Sequence, residues 1–182
     1  MKLGSALARI VMGALFFGHG TQKLFGWFGG HGPDATGQAF EQMGLRPGKR
    51  NAMAAGGAEA LGGVMLAGGF LMPVAAALIT GTMITAIRTV HGPKGPWVSE
   101  GGYEYNLVLI ASMFALTDRG PGEWSLDNAL GIDLKGPFWA LAELAAGAIG
   151  SELTLRSAAS APEASATPAV PGDPAPAPAS AS

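Results

Sequence analysis

Residues 52–87 read AMAAGGAEALGGVMLAGGFLMPVAAALITGTMITAI, and Glu59 is the one ionisable side chain in the stretch. As a single helix it would be about 54 Å long, nearly twice the ~30 Å hydrocarbon core of a bilayer. The stretch must therefore fold back on itself. Pro73, preceded by Gly68, Gly69 and Phe70-Leu71-Met72, marks the turn. Proline has no N–H to donate and disfavours helix at the residue before it. The reading is a helical hairpin inside a membrane, with one carboxylate within it. An ionisable group in that setting is a functional candidate, because burying it in lipid is costly.

Composition supports a membrane chain. Of the 182 residues, 48% are hydrophobic and 13% charged, against ~25% charged in an average soluble domain. The chain has 29 glycines, which suits helices packed closely in lipid, where small residues let backbones approach. The net charge of −2 offers nothing to nucleic acid. With no cysteine, the chain has no disulfide and no thiolate nucleophile or metal ligand of its own. Redox chemistry would need a bound cofactor or a partner.

Working outward, a first helix covers about Ser5–Phe25. Lys2 and the apolar run Ile10–Gly18 resemble a leader, but Arg9 interrupts the run and no small-x-small cleavage site follows. An uncleaved membrane helix is the better reading. Arg9, Phe16 and Lys23 recur every seven residues with His19 between, so they share one stripe that should face protein. Arg9 itself is expected to reach for the interface. Trp27-Phe28-Gly29-Gly30-His31-Gly32-Pro33 ends this helix, with aromatics suited to the membrane boundary. Ala35–Leu45 has a short apolar rhythm, expected as a helix on the membrane surface or capping the bundle.

The second and third helices cover about Asn51–Phe70 and Pro73–Val90. Glu59 lies on a face with Ala55 and Gly63. A fourth helix opens near Gly101, takes in Glu104 and runs through LVLIASMFALT to Thr117. Pro137–Leu155 is apolar again, but Glu143 and Glu152 shorten the run, so a short fifth helix is expected, buried on the bundle or lying in the interface. The expected fold is all-α: a multi-pass membrane four-helix bundle over residues 1–130, an additional apolar helix at 131–156, and a disordered Pro/Ala/Ser tail at 157–182.

In an up-and-down bundle, helices one and three end, and helices two and four begin, on the same side. Those ends carry His19, Gln22, Lys23, Glu59, Arg88, His91, Glu104 and Asn106. Lys23 and Arg88 match Glu59 and Glu104 in charge, and two imidazoles, a group able to move protons at neutral pH, sit near them. Glu59 should point inward, within reach of Lys23 or Arg88. Three readings remain open: an ion-pair network that fixes helix register, a redox or proton-transfer pocket for a quinone head group, and a permeation path. A metal site is not expected, since no HxxxH or HExxH spacing is present. Basic residues divide evenly between the two sides once Lys23 and Arg88 are set aside as buried, so no sidedness follows.

The motifs themselves are familiar. Arg9-x3-Gly13-x2-Phe16-x2-His19-Gly20-x-Gln22-Lys23-Leu24-Phe25-Gly26 resembles the opening of the DoxX family of small bacterial membrane proteins. Glu59-x2-Gly62-Gly63, His91, Gly102-Tyr103-Glu104-Tyr105 and Gly120-Pro121-Gly122-x2-Ser125-Leu126-Asp127 follow in the family's order, over about Leu3 to Leu130. The resemblance implies a four-helix integral membrane fold in the bacterial plasma membrane. It also implies a place near membrane redox chemistry, since the family is named for likeness to a membrane subunit of thiosulfate:quinone oxidoreductase and some members belong to oxidative-stress complexes. It assigns no catalytic residue and no cofactor. The functional expectation is a redox-linked membrane subunit, for which quinone is the candidate cofactor. The alternatives are a scaffold that docks a soluble redox enzyme through the Trp27–Arg50 loop and, ranked last, a small-solute or proton path. The chain shows no inverted repeat of the transporter kind.

Overall fold

The computed structural model describes residues 3–161. The tail read as disordered lies, from residue 162 onward, outside the described residues. The described residues are all-α, with no strand. Five long helices form the body: α1 (Leu3–Phe25), α3 (Gly48–Gly68), α4 (Met72–Ala86), α5 (Glu104–Arg119) and α7 (Pro137–Ala159), with shorter α2 (Gly32–Gln42) and α6 (Leu126–Leu130) between them.

The hairpin of the opening stretch is α3–α4, and local chemistry explains its turn. Gly69 takes the left-handed conformation (φ 63°), which costs a glycine little. Its N–H bonds to Leu66 O, and the N–H of Phe70 reaches back to Met65 O at 2.9 Å, the bond pattern that closes a helix C-terminus. Pro73 then sits in the first turn of α4, where its missing N–H is no loss. At the other end of α4 the chain widens into a π-helical turn at Ile87–His91.

Packing follows the glycines. α1 lies antiparallel on α3, and a Cβ added at Gly13 would stand 2.5 Å from Gly63 O, while one at Gly20 would stand 2.5 Å from Gly56 O. The two contacts are a heptad apart on each helix, so the backbones touch along a seam. α4 packs on α3, α5 and α7. The shared core joins Phe16 of α1, Leu66 of α3, Met72, Ala76, Ile79 and Met83 of α4, and Met113 and Leu116 of α5.

The fifth helix differs from the expectation of a short one. α7 has 23 residues and continues through Ser157 to Ala159, about 35 Å at the helical rise. It runs parallel to α4: Thr80, Thr85 and Arg88 of α4 bond in turn to Glu143, Ser151 and Glu152 of α7. The acids that seemed to limit the run are partnered by α4. The helices cross at Gly81 and Gly147, whose added Cβ atoms would meet Gly147 O at 3.2 Å and Thr80 Cγ2 at 2.7 Å.

The outward faces are apolar. Leu7, Ile10 and Leu15 of α1, Leu107 and Val108 of α5, and Leu141, Ile149 and Leu153 of α7 are all exposed. α1 and the segment Met72–Lys94 are each long and apolar enough to cross a membrane.

Candidate functional site

Glu59 faces inward and is 6% exposed. Its Oε2 lies 2.5 Å from Lys23 Nζ. The stem of Lys23 passes over Gly56, one turn before Glu59, where an added Cβ would be 3.1 Å from Lys23 Cβ. The small residue at position 56 thus makes the room that lets a lysine of α1 reach a carboxylate of α3. The Lys23 ammonium also donates to His19 O at 3.4 Å. Beside it, His19 Nδ1 and Gln22 Oε1 are 3.2 Å apart, and Gln22 Nε2 donates to Phe28 O. His19, Gln22, Lys23 and Glu59 therefore form one hydrogen-bonded group at the α1–α3 seam.

The other four residues of the expected cluster make their bonds elsewhere. Arg88 pairs with Glu152 of α7 at 2.6 Å, on an exposed edge. His91 Nδ1 lies 2.7 Å from Gly101 O and pins the loop between α4 and α5. Glu104 accepts from the backbone N–H of Val98 at 2.8 Å. Asn106 is buried and points its amide at Met83 Sδ, 3.4 Å away. Arg88 is drawn off because α7 lies beside α4 and offers Glu152, a partner absent from a four-helix picture. Glu104 is close in sequence to an unpaired N–H and satisfies it.

Lys23 and Glu59 line a groove of about 770 Å³, within the ~300–1,000 Å³ range of small-molecule sites. α4 forms its floor through Pro73, Val74, Ala77 and Gly81. α3 supplies one wall through Ala55, Ala58 and Glu59, and α7 the other through Trp139, Glu143 and Ala146. Phe40 and Met43, from the α2 region, line it too. The surface is mostly apolar; its polar elements are Lys23, Asn51, the two carboxyl groups and a few Thr and Ser hydroxyls. Lys23 Nζ has three protons. Glu59 and His19 take two of them, which leaves one donor for an oxygen in the groove. Among the described residues, no group of three or more His, Asp or Glu is placed to hold a metal ion.

A second buried polar site lies at the far end of the bundle. Arg9 is fully buried, contrary to the expectation that it reaches for the interface. Its guanidinium donates to Leu66 O, Ala67 O and Trp124 O at 3.2, 2.9 and 2.6 Å. Asp127 accepts from the N–H groups of Leu71 and Met72. The available signal was Arg9 on the protein-facing stripe of α1. Nothing in the local sequence pointed to Glu143 as a groove residue, because its position depends on where α7 lies.

Comparison with known proteins fits this picture. Residues 4–92 match the family model described as DoxX. A protein of Bacillus subtilis (strain 168) named "Putative oxidoreductase CatD" is 32% identical over 116 residues, covering 64% of this chain and 80% of that protein. No solved structure matches the chain.

Proposed function

Because the chain belongs to the DoxX family, we propose that it is a multi-pass subunit of a membrane redox system in the bacterial plasma membrane, and that the α3–α7 groove holds a quinone head group at the Lys23–Glu59 pair. The observation that carries the reading is that pair: an ammonium and a carboxylate 2.5 Å apart, on the wall of an apolar groove of ligand size. The exposed apolar faces of α1, α5 and α7 support placing the bundle in lipid. The relative's name as an oxidoreductase supports the redox direction.

The residues present suit such a ligand. Quinone, when bound, takes up or gives back two electrons and two protons. The chain's own part is binding and proton handling. Lys23 offers its remaining N–H to a ligand oxygen, and Glu59 keeps the ammonium in place by balancing its charge. His19, exposed and next to Lys23, links the pair to the aqueous edge. The chain has no cysteine, so it has no thiol redox centre. Electrons come from a partner, and a soluble redox enzyme docked on the Trp27–Arg50 segment fits that role.

The test is to purify the protein from membranes and analyse the extract for isoprenoid quinone. Wild-type protein should carry quinone, and Glu59→Gln should lose most of it and lower survival under oxidative challenge. Quinone-free wild-type protein, together with unchanged survival in Glu59→Gln, would sink the reading.

A further inference from the structure

We propose that Glu143 is a second head-group anchor in the groove, set on the wall opposite Lys23–Glu59, so that a quinone-class amphiphile is held from both sides. This rests on the proposed reading of the groove and adds to it a residue beyond the span of the family model, which ends at 92.

Three buried side-chain atoms among the described residues lack a hydrogen-bond partner: Arg9 Nε, Thr117 Oγ1 and Glu143 Oε1. Of these residues only Glu143 lines the groove. Its other oxygen accepts from Thr80 Oγ1 at 3.1 Å, and the residue is 1% exposed. A buried carboxyl oxygen without a partner is destabilising, so the site has a standing demand for a polar atom. The terminal torsion of a glutamate is broad, so turning the carboxyl toward a ligand costs little.

The depth is right as well. An added Cβ at Gly62 would touch Ala75 O, Ile79 Cγ1 and Leu78 Cβ, which places Gly62 beside Ala75–Ile79 of the antiparallel α4. Glu59 is nearly one turn nearer the start of α3, level with the Thr80 region, and Thr80 is the residue that holds Glu143. The two carboxyl groups therefore stand at about the same depth on facing walls, one with a cation and one without. The head group of a quinone presents oxygens on opposite edges of a flat ring. One edge accepts from the spare N–H of Lys23; at the other, the Glu143 carboxyl accepts from a hydroxyl of the quinol form or, as the neutral acid, donates its O–H to a quinone carbonyl. The Ala and Gly surface along α4 leaves space for the apolar remainder.

Trp139, one turn before Glu143 on the same wall, provides the readout. In a variant with Trp27, Trp97 and Trp124 replaced by Phe, a short-chain ubiquinone should quench the remaining fluorescence saturably in lipid nanodiscs. Glu143→Leu should raise the apparent Kd by about tenfold or more, the equivalent of one lost hydrogen bond. Glu143→Gln keeps a donor and an acceptor in the same shape and should stay within about threefold of wild type. Unchanged affinity in Glu143→Leu overturns the inference, as does quenching that never saturates in the parent. So does Glu143-dependent quenching by spin-labelled phospholipid that ubiquinone does not displace, since the groove is then a lipid site. Binding that ignores Glu143 leaves the redox reading standing. Binding that needs Glu143 in a protein without quinone-linked electron transfer removes the redox reading and leaves the site.

Discussion

Arg9 and Asp127 hold the two sides of the α3–α4 hairpin turn. Arg9 donates to the last carbonyls of α3, at Leu66 and Ala67, and Asp127 accepts from the first amides of α4, at Leu71 and Met72. Each charge complements the helix end it meets, a cation at a C-terminus and an anion at an N-terminus. Gly69 lies between them, with Arg9 Nη1 2.5 Å from where its Cβ would be. Asp127→Asn should lower stability by about 1–2 kcal/mol, since one acceptor oxygen remains. Arg9→Met should cost about 3 kcal/mol or more, because several buried carbonyls lose their donor. Thermal unfolding in detergent measures both. An unchanged Tm in Arg9→Met would show that the clamp is not structural.

The Lys23–Glu59 pair predicts a double-mutant cycle. Lys23 is 23% exposed at its side chain and Glu59 8%, so neither is well solvated. Removing one partner leaves a charge facing an apolar groove. Lys23→Met or Glu59→Gln alone should cost up to about 3–5 kcal/mol, with the double variant recovering much of it. Additive losses, measured by the same unfolding experiment, would mean that the two groups do not interact.

The glycine seam between α1 and α3 separates close contact from helix propensity. Gly20→Ala places a methyl 2.4 Å from Ala60 N and should destabilise by about 1–3 kcal/mol. Gly57→Ala meets nothing within 4 Å and should stabilise by about 0.5–1 kcal/mol through helix propensity. Thermal shifts of the same sign for both would contradict the packing.

Much of this fold is legible in the residues. The break at Gly69 and Pro73 announces the hairpin because glycine and proline act locally. The inward face of Glu59 follows from the small residues on its own helix. The limit appears with α7. Glu143 and Glu152 look like interruptions until Thr80 and Arg88 are seen beside them, and no local pattern says that a fifth helix lies parallel to the third. The same cause splits the expected polar cluster, since Arg88 turns to Glu152. Arg9 shows a related limit. A lipid boundary and a distant helix end satisfy a long cation equally well on paper, and only the packing of α1 on α3 selects between them.

Placing α7 also changes the charge balance of the two bundle ends. Among the described residues, Arg46, Lys49, Arg50, Arg88, Lys94 and Arg156 stand at one end, against Arg119 and Lys135 at the other. Arg9, buried, and Lys23, paired with Glu59, are set aside. For a bundle that spans the membrane, as proposed, the excess of basic residues at the first end predicts that this end faces the cytoplasm. The chain has no cysteine to interfere. In intact cells, an impermeant maleimide should label Ala129→Cys and spare Gln42→Cys and Ala159→Cys. Labelling of Gln42→Cys and Ala159→Cys from outside would reverse the orientation. Labelling of only one of them would contradict the parallel course of α4 and α7.

The proposed redox role of the Lys23–Glu59 groove is tested most directly by quinone reduction in membrane vesicles. Vesicles from cells with wild-type protein, Glu59→Gln or no protein would be compared at equal amounts of folded chain. The expected result is a rate in Glu59→Gln that falls to that of vesicles lacking the protein. A Glu59→Gln rate equal to wild type, or no difference between wild type and vesicles without the protein, would contradict the account.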